Sequence, residues 1–319
     1  MLLVGCSTAK ASPATTSVTS AKSGTNATTT APAPVACATV TTPLVAGEST
    51  VKSGGNERHF LVALPTDFDA RRPTRLIVNY HGSGSDMHQQ AAYSALPTKG
   101  SARGYVVVTP DGTGTPKGWD MGGEEDYTFT EDLLAAVGRG MCIDPDRIDA
   151  AGISNGSAFS ELAGCHKPYR FAAVGMVAAT LSSTCPPDVH VPAVAFHGTA
   201  DPVVPFVGGK VNADVKGMAA TGVNAPGAEG AIAKLAQHNG CAPDPVNTSI
   251  GTDVTRRVWS GCTDGADVTF YRIEGAGHTW PGGIDISKLG FRGLGGVTTT
   301  IDATSIILDF FDAHPKPHR

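Results

Sequence analysis

From about residue 38 onward, short runs of β-branched and aromatic side chains alternate with Ala-rich stretches at helical spacing, and few architectures accommodate that order. Strands joined by crossover helices pair in parallel, so the alternation predicts an α/β fold with a mostly parallel central sheet flanked by helices. Strands are expected at Arg75 to Tyr80 (RLIVNY), Tyr105 to Thr109 (YVVVT), Arg147 to Ile153 (RIDAAGI), Ala193 to Phe196 (AVAF) and Asp267 to Ile273 (DVTFYRI). Helices are expected over Thr130 to Arg139, Ala158 to Cys165, Glu229 to His238 and Ala303 to Ala313. Thr128 and Glu131 have capping-box spacing for the first of these. Asp302 suits the N-cap of the last, where Ile306, Ile307, Phe310 and Phe311 recur on one face. No internal repeat occurs and nothing resembles an inter-domain linker after residue 40, so residues 38–319 are expected to form one domain.

The residues ahead of that domain have another texture. From Ser7 to about Ala36 the chain is almost entirely Ser, Thr, Ala, Pro, Lys and Gly, too poor in apolar surface to offset the entropy of ordering. Residues 7–37 are therefore expected to be a flexible tether. Before it, Leu3-Val4-Gly5-Cys6 resembles a bacterial lipobox, in which the Cys is acylated after signal cleavage. A signal peptide needs a charged n-region and an apolar core of about seven or more residues. Only five residues precede Cys6, so residues 1–6 are read as the end of a truncated lipoprotein signal, with membrane attachment only through a lipid on Cys6.

Charge and cysteine usage narrow the class further. Lys plus Arg is 24 against 29 Asp plus Glu, a net charge of -5 with no basic block, which argues against nucleic acid as a partner. No apolar run approaches the length of a membrane-spanning helix. Besides Cys6 there are six cysteines, Cys37, Cys142, Cys165, Cys185, Cys241 and Cys262. An even set in a chain that reads as exported implies a disulfide framework, for which fifteen pairings are possible. Sequence proximity favours Cys165 with Cys185 and Cys241 with Cys262, leaving Cys37 with Cys142. No Cys or His spacing suits zinc, and no metal or organic cofactor is expected.

The chemistry concentrates on three loops. Gly152-Ile153-Ser154-Asn155-Gly156 matches G-x-S-x-G at the end of an expected strand and the start of an expected helix, the turn that lifts a Ser hydroxyl above a sheet. A Ser hydroxyl becomes an effective nucleophile when a neutral imidazole takes its proton, and a carboxylate fixes that imidazole's tautomer. In an open parallel sheet the partners belong on loops after later strands. The loop after AVAF offers Asp201, and the loop after DVTFYRI offers His278. Alone, Asp201 reads better as a turn-forming Asp before Pro, and His278 also reads as a loop histidine bonded to backbone, but together they give the chain order Ser, Asp, His. His197 is expected to brace the Asp201 loop, and His59, His88, His166, His190, His238, His314 and His318 are expected at the surface. A tetrahedral intermediate needs two backbone donors for its oxyanion. Asn155, following the nucleophile, supplies one, and Ser83 in the small-residue loop His81-Gly82-Ser83-Gly84-Ser85 is assigned the other.

HGSGS, TPDGTG, GISNGS, FHGTADPVVPF, GAGHTWPGG and IDATSIILDFF resemble, in order and spacing, secreted α/β hydrolases of the polyhydroxybutyrate depolymerase and feruloyl esterase group, from about residue 50 to 312. The resemblance extends to lipoprotein members of that group. It implies an α/β-hydrolase fold with no large lid, and hydrolysis of short-chain or aryl esters, with polyhydroxyalkanoate polyester and feruloyl or acetyl esters of polysaccharide as the candidates, and with Ser154, Asp201 and His278 as nucleophile, acid and base. A serine peptidase on the same fold, or a polymer-binding lipoprotein without activity, are the alternatives. Many members carry a Trp followed by Asp-Asp-Val near the cleft, whereas this chain has Trp119 followed by EEDYTF. Trp119 and Trp280 fall on loops at the catalytic end of the sheet and are expected to pack against an acyl or aryl group. The reading is of a monomer, exported or lipid-anchored on the outer face of the membrane.

Overall fold

A computed structural model describes residues 1, 37, 39–166, 171–181, 185–212 and 224–316. The chain divides into two units, Met1–Pro34 and Val35–Arg319. Of the first, Met1 alone is described, so the tether at 7–36 and Cys6 lie outside the described residues.

The larger unit opens with an antiparallel hairpin, β1 (Gly47–Ser53) and β2 (Asn56–Ala63), followed by β3 (Thr74–Tyr80), α1 (Met87–Ser94), α2 (Leu96–Ala102), β4 (Tyr105–Pro110) and α3 (Glu125–Gly140). Then come β5 (Ile143–Ile153), α4 (Asn155–His166), β6 (Val174–Val177) and β7 (Ala193–Gly198). The last part holds β8 (Gly209–Lys210), β9 (Asn224–Ala225), α5 (Ala228–His238), β10 (Val246–Ile250), β11 (Val254–Trp259), β12 (Val268–Ile273) and α6 (Ala303–Ala313). Ten strands form one sheet in the order β1-β2-β4-β3-β5-β6-β7-β12-β11-β10, while β8 and β9 pair separately. From β4 to β12 every neighbour is parallel; β1–β2 and β11–β10 extend the two ends antiparallel.

Helices cover both faces of this sheet, which explains why its central strands are apolar almost throughout. Along β3, Leu76, Val78 and Tyr80 enter one core cluster together with Phe129 of α3 and Phe159 of α4. Ile77, between them, points to the other cluster with Leu96 of α2 and Ile307 and Leu308 of α6. All six residues of β4 are buried. The Asp302 side chain accepts the Ser305 N–H and caps α6 as expected. The helix expected from Thr130 begins earlier, at Glu125, and Thr128 lies inside it with its N–H bonded to Glu124 O. Two acidic residues, Glu125 and Asp126, replace the expected capping box in the first turn, where the positive end of the helix dipole favours them.

The three disulfides are Cys37–Cys142, Cys165–Cys185 and Cys241–Cys262. The connection from Val207 to Gly230 is described up to Asn212 and again from Asn224.

Candidate active site

Ser154 sits between the end of β5 and the first residue of α4 with φ of 57°, a left-handed conformation rare for a side-chain-bearing residue. The turn is held from both sides, since Ser154 N–H donates to Val177 O of β6 and Ser154 O accepts the Ala158 N–H. Its two glycines are steric requirements. A Cβ on Gly156 would lie 2.4 Å from the carbonyl oxygens of Tyr80 and His81, and one on Gly152 would lie 2.5 Å from the Gly156 backbone. Helix, strand and the loop after β3 therefore meet at van der Waals distance around the serine.

Asp201 follows β7, and its two carboxylate oxygens divide the work. Oδ1 accepts the N–H groups of Val203 (2.8 Å) and Val204 (2.9 Å), which fixes the carboxylate plane. Oδ2 faces His278 Nδ1 at 2.7 Å and His197 Nε2 at 3.3 Å. His197 also reaches Val204 O at 2.9 Å, so it braces the Asp201 turn as expected from the sequence. Burial pushes the Asp201 pKa up, but the charge of His278 and the hydrogen bonds from His197 and His278 outweigh that and hold it well below the usual carboxylate range.

His278 is placed by the loop after β12. Its N–H donates to Leu294 O at 2.6 Å, and Gly277 N–H donates to Gly296 O at 2.9 Å. With Nδ1–H directed at Asp201, Nε2 remains as the acceptor; it is buried and has no hydrogen-bond partner among the described residues. His278 and Ser154 line one cavity of about 30 Å³, together with Gly82, Ser83, Ser85 and Tyr93 and the apolar Ile153, Ile286, Phe291 and Leu294. The structure thus brings Ser154, His278, Asp201 and Ser83 into one place. Asn155 opens α4, so its N–H is among those a helix leaves without an intrahelical acceptor.

The two tryptophans lie elsewhere. Trp280 is 1% exposed and its Nε1–H donates to Thr304 Oγ1, while Trp119 is 4% exposed, edge-on to Tyr80 and stacked near Phe159. Neither lines the cavity. The expected substrate contacts at Trp119 and Trp280 are corrected: burying these large rings places them in the two halves of the core, and each indole N–H is satisfied there. Among the histidines expected at the surface, His59 and His88 are exposed, whereas His238 bonds Val189 O from a half-buried position.

Three groups escape the sequence reading. His81 is fully buried, with Nε2 accepting the Gly112 N–H and Nδ1 facing Gly82 O, both at 2.8 Å; burial lowers its pKa. Its place directly after the RLIVNY strand is the signal that could have found it. Arg58 on β2 donates to Asp126 Oδ1 at 2.8 Å, and Asp126 Oδ2 accepts the Asp120 N–H. The EEDYTF segment therefore puts its aspartate into a buried ion pair. No local pattern in the sequence joins residues 58 and 126. The apolar lining residues Ile286, Phe291 and Leu294 lie on a short 3-10 helix, Ile286–Leu289, and in the chain after it, where no periodicity marks them.

A serine in a left-handed turn between a parallel strand and a helix, with an Asp–His pair on later loops, is the arrangement of the α/β-hydrolase fold. No protein-family model matches the chain. It is 31% identical over 238 residues to feruloyl esterase B of Piromyces equi, covering 69% of this chain and 42% of that protein. It is 27% identical over 243 residues to feruloyl esterase D of Neurospora crassa, covering 72% of this chain and 76% of that protein. The chain thus spans less than half of the first relative and about three quarters of the second. Among solved structures, a thermostable esterase superposes with a TM-score of 0.53 at 17% identity, over 84% of this chain and 63% of that one. An acetyl xylan esterase from Aspergillus awamori gives 0.54 at 13% identity, over 76% and 97%. The chain is thus similar in sequence to feruloyl esterases and in fold to esterases of the α/β-hydrolase fold.

Proposed function

We propose that the protein hydrolyses carboxylic esters through an acyl-enzyme on Ser154, and that feruloyl or acetyl esters of polysaccharide are its substrates. The observation that carries the reading is the 2.7 Å Asp201–His278 contact, with the opposite ring nitrogen free in the cavity that Ser154 lines. Ser154 Oγ forms the bond to the ester carbonyl carbon as its proton passes to His278 Nε2, and Asp201 holds the imidazole and offsets its charge. The backbone N–H groups of Asn155 and Ser83 receive the oxyanion. The carbon–oxygen bond to the alcohol breaks as Nε2–H returns the proton to the leaving oxygen. Water then attacks the acyl-enzyme, giving its proton to Nε2, and the free acid departs with Ser154 restored. The substrate class rests on the names of the relatives, feruloyl esterases and an acetyl xylan esterase. Three disulfides support export, since such bonds persist in oxidising compartments.

The small cavity beside Ser154 suits a short acyl group or the open approach of an aryl ester better than a long apolar tail. Initial rates on methyl ferulate, acetylated xylan and the p-nitrophenyl esters test this. The reading expects turnover of the first two, and kcat/KM highest at about two to four acyl carbons and falling beyond about eight. A maximum at twelve or more carbons on the order of a lipase profile contradicts it.

A further inference from the structure

The two oxyanion donors of the proposed reaction lie on different elements. Ser83 belongs to the loop after β3, and Asn155 to the first turn of α4. Catalysis by such donors depends on their separation, because each must point at the position the oxyanion takes in the transition state. A third segment, residues 111–119 after β4, touches both elements through hydrogen bonds of good geometry. Toward the Ser83 loop, Gly84 N–H donates to Lys117 O at 2.7 Å, Trp119 Nε1–H to His81 O at 2.8 Å, and Gly112 N–H to His81 Nε2 at 2.8 Å. Toward α4, the Asn155 side-chain amide engages the backbone of one residue on both sides of its Cα: Oδ1 accepts the Trp119 N–H at 2.7 Å and Nδ2 donates to Trp119 O at 3.1 Å.

The segment is itself stiffened across its neck. Thr113 N–H donates to Gly118 O at 3.2 Å, and Gly118 N–H to Thr113 O at 2.9 Å. Its packing leaves no slack, since a Cβ on Gly112 would come 2.6 Å from Gly118 O and one on Gly118 would come 2.9 Å from Asn155 Oδ1. The Trp119 ring is locked in turn against Tyr80 and Phe159, and the Arg58–Asp126 pair holds the chain just beyond it through the Asp120 N–H.

We propose that residues 111–119 form a strut that sets the distance between the two oxyanion donors, with the Asn155 side chain and the Trp119 indole N–H as its positioning groups. The residue whose backbone N–H serves the oxyanion thus uses its side chain to fix where that N–H points. This inference rests on the acyl-transfer reading above. Trp119 serves the reaction from the core, through the loop it holds.

Two variants test the strut. Trp119→Phe keeps an aromatic ring and removes the donor to His81 O; Asn155→Ala removes both bonds to Trp119 and keeps its own backbone N–H. Functional sites are counted by end-point labelling with a fluorophosphonate, and kcat and KM are measured per labelled site. A boronic acid that forms a tetrahedral adduct with the serine reports the oxyanion site separately. The strut predicts that kcat per site falls by at least about tenfold, up to the 10²-fold that a misplaced donor causes, with KM within about threefold and boronate affinity falling in parallel with kcat. A kcat per site within about threefold of wild type in both variants, with only Tm reduced, overturns it and leaves these bonds a structural role. Should Asn155→Ala fail to fold, Asn155→Asp keeps the acceptor for Trp119 N–H, loses the Nδ2 donor, and is read the same way. A wild-type protein that neither turns over esters nor takes the label overturns the acyl-transfer reading itself, a result distinguishable from failure of the strut alone.

Discussion

At Ser154 the chain accepts a backbone conformation that its side chain disfavours, and the surrounding glycines are what make that possible. With Tyr80 O and His81 O both 2.4 Å from the position of an added Cβ, Gly156→Ala has no unstrained solution. It is expected to destabilise by about 2–4 kcal/mol and to reduce activity more than stability, because the shift falls on the serine itself. Denaturant titration alongside kcat/KM checks this. Asp201→Asn is expected to lower kcat by about 10³- to 10⁴-fold, as an amide cannot hold the imidazole in the required tautomer. Asp201 also carries a pH signature. Its folded pKa lies below the unfolded value, so the stability it adds is complete above about pH 4 and is lost as pH falls through the folded pKa. The slope of Tm against pH below that point should be shallower in Asp201→Asn; identical slopes would remove the carboxylate's electrostatic role. Ser154, Asp201 and His278 are legible from the sequence as candidates because each follows a recognisable strand. The tryptophans mislead because a loop position says nothing about which way a ring turns, and the partners that claim Trp119, the His81 carbonyl and Phe159, are distant in sequence.

At the scale of elements, β3, β4, β5, β7 and β12 are legible as apolar runs because helices on both faces demand them. The expected and observed ends agree closely for β12 and α6. β6 is missed because Val174–Val177 is only four residues long and lies among other small apolar residues. β1, β2, β10 and β11 are missed because they extend the sheet in partly exposed strands with mixed polarity. α1 is missed because its sequence, MHQQAAYS, has little apolar contrast and buries a glutamine, which bonds Asn79 instead. Within β5, Asp149 is fully buried and its pKa is raised, by burial above all, with Asp312 adding to it and Arg75 and Lys316 opposing it. A raised carboxyl pKa favours the folded state at low pH and loses that advantage as pH rises toward the folded value. Asp149→Asn is therefore expected to raise Tm more at pH 8 than at pH 4; an equal or opposite shift contradicts the burial argument. On α6, Asp302→Ala removes the cap at a cost of about 1 kcal/mol, or roughly 2–4 °C in Tm.

The larger unit is built on a sheet that brings three loops, far apart in sequence, to the carboxyl ends of β5, β7 and β12. The 105-residue separation closed by Cys37–Cys142 ties the start of the domain to the end of α3, while the other two bridges close separations of 20 and 21 residues. In the chain-entropy model the long loop contributes about 4–5 kcal/mol and each short one roughly 3. Non-reducing peptide mapping of secreted protein should recover these three pairs, and free thiols at the six positions would contradict both the framework and export. The central claim is that one serine carries the chemistry. Its most direct measurement is fluorophosphonate labelling of the folded protein, located by peptide mass spectrometry, with ester hydrolysis followed in parallel for wild type and Ser154→Ala. The account predicts a single label on Ser154, activity lost in step with labelling, and an unlabelled, folded Ser154→Ala protein slower by about 10⁴-fold or more. A label on another residue, or a Ser154→Ala protein within about tenfold of wild type, would contradict it.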